Sequence, residues 1–216
     1  MNLRALLKGA LAIIIAVTVG VAPSVSQASV LADLSIEDRT DGAVYIVEGK
    51  VVSTWTELDA RGRIWSRAKV DVTAQHKGDD LPGEIVIDSM GGTYGDYTLT
   101  VVGQAVYSEG ENVFLFLDKL ERSGRLVPLG KFLGKYTLRR APGDTEPHAF
   151  NWHASANSKF DHRFLPHKLA ENRLYVGELR RVVATRLETG WDGKEIPGLS
   201  AEQLKTRNTP VLRRVQ

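Results

Sequence analysis

Residues 64–74 read IWSRAKVDVTA and alternate between apolar and polar side chains. The apolar positions of one parity are Ile64, Ala68, Val70, Val72 and Ala74, and the other parity has Arg67, Lys69, Asp71 and Thr73. A period of two is typical of a β-strand that is buried on one face only. The stretch therefore predicts a strand that faces a hydrophobic core on one side and polar surroundings on the other.

Six further short apolar stretches lie on either side of this strand, and each is bounded by turn-forming or polar residues. They span residues 44–52, 84–88, 97–102, 112–117, 126–129 and 136–139. No helical pattern separates them. Seven short strands at near-regular spacing favour a closed antiparallel barrel or a sandwich. We therefore expect a mainly β protein built on an antiparallel, OB-like barrel of five to seven strands.

The first residues have the pattern of an export signal. Arg4 and Lys8 precede an apolar stretch at 10–22, which is too short to span a bilayer comfortably, and small residues follow up to Ala28. We expect signal peptidase to cut after Ala28, so that the mature chain is periplasmic or extracellular and has no membrane span. An uncleaved N-terminal anchor is the alternative.

The regions that flank the strands are predicted to be helical or irregular. Ser35 and Asp38 form the ends of a capping box for a short helix that Gly42 terminates. After the strands, residues 174–187 form an amphipathic helix and residues 205–216 a loose tail. These patterns divide the chain into a signal peptide (1–28), a short helix (29–42), the barrel (43–140) and a C-terminal extension (141–216) that begins with a linker and an aromatic, histidine-containing segment.

The composition is that of a globular protein, with 43% hydrophobic and 25% charged residues. This balance excludes a disordered chain and a multi-span membrane protein. The absence of cysteine excludes disulfides and thiolate metal sites. Without the signal peptide the chain has 26 basic and 26 acidic residues, a balance that disfavours a nucleic-acid partner.

Charge is unevenly distributed along the mature chain. Residues 29–147 contain 14 basic and 19 acidic side chains, whereas residues 148–216 contain 12 basic and 7 acidic ones. We expect the basic C-terminal part to pack across the acidic body. The alternative is a basic surface that contacts an acidic partner.

The order of turn glycines and core residues gives a family resemblance. The sequence reads VEGKV at 47–51, KG at 77–78, GG at 91–92, GENVFLFL at 110–117 and GKY at 134–136. This order resembles an uncharacterised family of exported bacterial proteins, which in turn resembles the netrin-like OB barrel of tissue metalloprotease inhibitors. The resemblance implies a fold and not an activity. Those inhibitors bind the protease zinc through an N-terminal cysteine, which this sequence lacks.

Two features are candidates for ligand binding. Gly91, Gly92 and Tyr94 lie in a glycine-rich loop between strands, which we interpret as a turn that could project for recognition. Trp65 has the parity of the outer strand face, so it is either covered by the C-terminal segment or exposed for stacking on a ligand.

A histidine cluster is the only candidate metal site in the sequence. His148, His153, His162 and His167 lie within twenty residues, with Asp161 beside the third. Imidazole and carboxylate groups suit Zn²⁺, Cu²⁺ or Ni²⁺. The spacing matches no helical zinc motif, however, and interleaved aromatic residues favour a segment that packs on the barrel. We therefore expect no cofactor, with a divalent metal as the alternative.

These patterns lead to two functional hypotheses. The first is an exported, non-catalytic binding or structural module that recognises a protein or a glycan in the cell envelope or outside the cell. The alternative is a metal-dependent enzyme or metal-binding protein that uses the segment from His148 to His167.

Overall fold

A long hairpin of two strands, β1 (Tyr45–Leu58) and β2 (Ile64–Lys77), organises the fold. The structure is a computed structural model, and it describes residues 34–140, 143–154 and 169–209. The strand predicted at 64–74 is confirmed and continues to Lys77. The β1–β2 pairing has irregularities, one of them between Val51 and Ser53. They bend and twist the hairpin, so that further strands can close it into a ring.

Further strands close the hairpin into a ring. They are β3 (Glu84–Met90), β4 (Gly92–Tyr94), β5 (Tyr97–Leu99), β6 (Asn112–Lys119) and β7 (Leu126–Pro128). β3 pairs with β2, β6 pairs with the free edge of β1, and β7 joins β6 to β3. The ring therefore has the order β1-β2-β3-β7-β6-β1, while β4 and β5 form a separate two-stranded hairpin.

The expectation of a wholly antiparallel barrel is wrong at one place. β3 and β7 are parallel where Ile87 lies opposite Leu126, so the sheet is mixed. The reason is geometric, because strand direction cannot alternate all the way around a ring of five strands. One neighbouring pair must be parallel, and it is the pair with the shortest contact.

Three strands continue the sheet beyond the ring. A 3₁₀ turn (Lys131–Gly134) leads into β8 (Lys135–Arg139), which is followed by β9 (His148–Ala154) and β10 (Leu169–Tyr175). β8 pairs with β6, β9 with β8 and β10 with β9, so the sheet has eight strands in the described part of the chain. The sequence did not predict β9 or β10, since His148, Ala149 and Asn151 are all buried and give no alternation.

Among the described residues, three helices flank the sheet: α1 (Ile36–Gly42), α2 (Val176–Thr189) and α3 (Ala201–Arg207). The Ser35–Asp38 capping box and the end of α1 at Gly42 are confirmed. The loose tail predicted from residue 205 is wrong for its first three residues, because a second capping box and the buried Leu204 stabilise α3. None of the helices in the described ranges is long and apolar enough to cross a membrane.

The hydrophobic core has two layers that share β6. Val113, Leu115 and Leu117 point into the ring, where they meet side chains such as Val47, Val70 and Ile87. Phe114 and Phe116 point outwards and pack with Leu179 and Val183 of α2. Burial on both faces explains why the sequence of β6 is apolar without interruption.

Ion pairs hold the C-terminal part of the chain to the barrel and to α1. The pairs are Arg180–Glu48, Arg186–Asp41, Lys194–Asp38 and Arg207–Asp118, each between 2.6 and 2.9 Å. In each pair the cation comes from the basic C-terminal part and the carboxylate from the acidic body. The expected packing of one part across the other is therefore confirmed.

Candidate functional site

Residues 91–107, here called the cap, cover one end of the ring. The cap contains the β4–β5 hairpin, whose two-residue turn has Gly95 at φ +56°. The strand predicted at 97–102 is shorter than expected and ends at Leu99. The remaining residues of the cap form a loop that returns to the start of β6.

A cavity of about 550 Å³ lies between the cap and the end of the ring. It is lined by Thr54, Trp55 and Thr56 of β1, Ser66 and Arg67 of β2, Ser89 and Met90 of β3, and Gly91, Gly92 and residues 99–107 of the cap. Its volume is in the range of small-molecule sites, and the mouth of a β-barrel is a common location for them. Hydroxyl and apolar groups dominate the lining.

Gly91 and Gly92, which the sequence singled out, form one corner of this cavity. Their φ angles are +104° and +122°, values that favour glycine. The prediction of a turn is wrong for Gly92 and Tyr94, because both belong to strand β4. A Cβ atom on Gly92 would lie 2.3 Å from Ser66 Oγ, and that hydroxyl donates a hydrogen bond to the carbonyl oxygen of Gly91. Any other residue at 92 would therefore displace Ser66 and change the shape of the corner.

Tyr94 does not line the cavity but belongs to an exposed patch beside it. Tyr94 lies opposite Tyr97 on the β4–β5 hairpin, and Tyr97 is 76% exposed. Leu99 and Val106, which do line the cavity, are also exposed. These four residues, here called the rim, present aromatic and aliphatic surface around the cavity.

Two hydroxyl groups of the cavity lining are buried. Ser89 is only 3% exposed, and the hydroxyl oxygens of Ser89 and Tyr107 are both shielded from solvent. Within the described ranges neither hydroxyl has a hydrogen-bond partner. Burial, with a smaller contribution from Glu111, raises the pKa of Tyr107, so its hydroxyl keeps its proton.

Lys135 of β8 contacts both the cap and Glu111, the residue before β6. Lys135 Nζ lies 2.7 and 2.9 Å from the two carboxylate oxygens of Glu111, and it also donates to the carbonyl oxygen of Val106. The ammonium group sits 4.8 Å from the centre of the Tyr107 ring. Burial lowers the pKa of Lys135 although Glu111 opposes this effect. No local pattern in the sequence indicates this pair, because its partners meet only through the pairing of β6 with β8.

Trp65 lies outside the cavity lining and is 5% exposed. Its indole Nε1 donates to Asp59 Oδ2 at 3.1 Å. The guanidinium groups of Arg125 and Arg63 lie 4.7 and 5.7 Å from its ring centre. Both predicted alternatives for Trp65 are therefore wrong: its ring is not exposed, and it is covered by two arginines from adjacent loops and not by the C-terminal segment.

The charges around Trp65 cancel one another. Arg67 Nε and Arg125 Nη1 donate to Asp88 Oδ1 at 2.8 and 2.7 Å, and Arg67 also contacts Glu57 at 3.0 Å. Arg63 pairs with Asp59. Three arginines are thus matched by three carboxylates, so this face of β2 and β3 has no excess charge.

Of the predicted metal ligands, only His148 has a side chain that the structure describes. His148 is buried on β9, with Nε2 2.9 Å from Arg173 Nη2 and Nδ1 3.1 Å from Asp144 Oδ2. His153 lies further along β9, whereas His162 and His167 lie outside the described residues. In the part of the chain that the structure describes, there is no group of three side chains able to hold a metal ion.

The fifth histidine, His76, belongs to a buried charge cluster that the sequence did not reveal. Glu48 is 4% exposed and accepts hydrogen bonds from Arg180 at 2.7 and 2.6 Å and contacts His76 Nε2 at 2.9 Å. Burial alone would raise the pKa of Glu48, but these partners lower it to about 2. The His76 ring also stacks on Phe114. The cluster joins β1, β2 and α2, which is a structural role.

A second cavity, a groove of about 1090 Å³, lies between the barrel and α3. Three of its four cations are engaged within the fold. Lys77 donates to the carbonyl oxygens of Thr40 and Asp41 and to Asn208, and burial lowers its pKa to about 8. Arg186 and Arg207 are held by the ion pairs described above. The fourth, Lys119, is exposed at the end of β6. The contacts of the first three dock the C-terminal helices.

Comparison with known proteins gives no family. No protein-family model matches the sequence, and no curated protein is significantly similar to it. Functional assignment therefore depends on the geometry of the site.

Proposed function

We propose that the protein is an exported, non-catalytic binding module that takes its ligand in the cavity between the cap and the end of an OB-type barrel. The observation that supports this most directly is the cavity itself, which is shaped by the Gly91–Gly92 corner and surrounded by the exposed rim. A preformed, largely apolar cavity with a few polar groups is the usual form of a ligand site.

The order of the ring supports an OB-type barrel. Numbered within the ring alone, the strands follow the order 1-2-3-5-4-1, and an OB fold is a five-stranded Greek-key barrel. Known OB barrels bind ligands on the face of their second and third strands. In this protein that face contains the neutral network around Trp65, which supports a site at the end of the barrel instead.

The lining supports binding in preference to turnover. It consists of hydroxyl, amide and apolar groups together with Arg67, whose guanidinium is held by Asp88 and Glu57. Such a set can orient an uncharged ligand, whereas general acid–base catalysis needs a titratable group in contact with the reacting atoms.

Export is the second part of the proposal. It is supported by the basic, apolar and small-residue pattern of residues 1–28, which lie outside the described residues. We place the mature module in the periplasm or outside the cell, where its partner would be a component of the envelope or its surroundings.

A capture experiment with two matched variants tests the proposal. Thr56→Phe places a ring in the cavity, whereas Thr73→Phe makes the same change at an exposed position of β2. Each immobilised mature protein is exposed to envelope extract from the source cell, and retained compounds are identified by mass spectrometry. We expect a ligand on the wild type and on Thr73→Phe but not on Thr56→Phe. Equal retention by all three would contradict the proposal.

A further inference from the structure

We infer that the ligand of the cavity is a saccharide, whose hydroxyl groups exchange hydrogen bonds with threonine and glutamine side chains of the lining. This inference rests on the proposed function, because it takes the cavity to be the ligand site. It adds the chemical class of the ligand and the side chains that select it.

The wall of the cavity that the β1–β2 hairpin provides is polar. Thr54 lies opposite Ala68, which belongs to the core inside the ring, so the Thr54 side chain is on the inner face of the hairpin. Thr56 is two residues further along β1 and lies opposite Ser66, on the same face. The hydroxyl groups of Thr54, Thr56 and Ser66 therefore form a layer at the end of the ring, beneath the cap.

The cap adds polar side chains of the same kind. Thr100 and Gln104 line the cavity from the cap, and together with Thr54 and Thr56 they are side chains that form no hydrogen bond with another described residue. Thr54 and Thr100 are exposed, and the polar side-chain atoms of the half-buried Thr56 and Gln104 are not shielded from solvent. These groups are therefore open to a ligand in the cavity.

Open hydroxyl and amide groups favour a ligand with several hydroxyls. Each of them can both donate and accept a hydrogen bond, and water satisfies them when no ligand is bound. A ligand that displaces this water loses affinity unless it offers hydrogen bonds of its own. A sugar ring carries several hydroxyls, whereas a peptide unit offers one donor and one acceptor. A saccharide therefore matches the lining better than a peptide does.

The apolar part of the lining fits the rest of a sugar ring. Val101, Val102 and Ala105 of the cap line the cavity. The two faces of a pyranose ring present C–H groups, which favourably exchange contact with water for contact with such side chains.

A neutral and an acidic saccharide both fit the charges beside the cavity. Arg67 of the lining is held by Glu57 and Asp88. Lys131 donates to the carbonyl oxygen of Val102 at 3.1 Å, and in the described part of the chain it has no carboxylate partner, so a sugar carboxylate could pair with it. The hydroxyl groups are the chemistry that the two kinds of saccharide share.

The first test compares saccharides with probes that lack their hydroxyls. The saccharides are glucose, N-acetylglucosamine and glucuronate; the comparison probes are cyclohexanol, a ring of the same size with a single hydroxyl, and N-acetylalanine methylamide, a peptide unit. Each is titrated into the ¹⁵N-labelled mature protein, and the amide signals of Gly91, Gly92 and Gly103 report binding. We expect at least one saccharide to bind more tightly than both comparison probes, because a site that forms hydrogen bonds with hydroxyls rejects an analogue without them.

Two results of this titration would overturn the inference. One is equal or tighter binding by cyclohexanol or by the peptide unit, and the other is binding by none of the saccharides. The capture experiment with Thr56→Phe tests the cavity without assuming a class of ligand, so the proposed site can survive either result.

Thr56→Val and Gln104→Leu then test the side chains of the lining. Each substitution removes hydrogen-bonding groups and nearly keeps the shape of the side chain. We expect each to weaken binding of the tightest saccharide about 3- to 10-fold, the usual effect of one hydrogen bond, and to leave cyclohexanol binding unchanged. Thr73→Val, at an exposed position of β2 outside the lining, is the matched control and should change neither. Unchanged saccharide binding in both cavity variants would overturn the inference.

Discussion

Replacing Lys135 by Met should destabilise the protein by breaking its ion pair with Glu111. The side chains of Lys135 and Glu111 are only 11% and 10% exposed, so the remaining carboxylate would stay buried. Removing one partner of a buried pair typically costs about 3–5 kcal/mol. Glu111 would retain hydrogen bonds from Thr137 and from the Ser108 amide, which places the expected loss near the lower value.

The assays are urea unfolding and thermal unfolding of the mature protein, both monitored by circular dichroism. A loss of about 3 kcal/mol corresponds to a fall in Tm of roughly 6–12 °C for a domain of this size. Lys119→Met, which changes an exposed lysine at the end of β6, should alter stability by no more than about 0.5 kcal/mol.

A double variant separates the ion pair from other effects of the substitution. Changing Lys135 to Met and Glu111 to Gln together removes both charges, so no unpaired buried charge is left. We expect the double variant to lose only about 1 kcal/mol, less than either single change. If its loss equals the sum of the two single losses, the two side chains are not coupled and the reasoning is refuted.

Two further predictions concern the barrel and its charge cluster. Gly49→Ala should disrupt the β1–β2 pairing, because its Cβ would lie 2.3 Å from the Asp71 carbonyl oxygen and 2.5 Å from Val70 Cγ1. Gly83→Ala is the control, because a Cβ at that position meets nothing within 4 Å. Thermal unfolding of both variants checks the prediction, and equal Tm values would contradict it. The pKa of Glu48 falls from 4.5 in the unfolded chain to about 2 in the folded one, so its contribution to stability is complete above pH 4.5 and lost as the pH falls towards 2. Between pH 5 and pH 2.5, Tm should therefore fall less steeply in Glu48→Gln than in the wild type, and parallel curves would exclude this role.

The barrel strands were predictable where burial is one-sided. β2 alternates because one face points into the ring and the other meets polar groups, so its period of two is visible in the sequence. β9 has no such pattern, because Ala149 and Asn151 are buried along with His148. The parallel contact of β3 with β7 was also missed, since it follows from closing an odd number of strands and not from any local residue pattern.

The candidate site was predictable only in part. Gly91 and Gly92 could be found because a glycine pair between strands is a local signal of left-handed backbone. Ser89, Tyr107 and Lys135 gave no such signal. They meet because β3, the cap and β8 converge at one end of the ring, and contacts between distant segments leave no mark in a single sequence.

A crystal structure of the mature protein with the compound captured from envelope extract tests the central claim most directly. The proposal predicts electron density for that compound in the cavity beneath the cap. Density for the compound elsewhere on the molecule, with the cavity containing only water, would contradict the proposal.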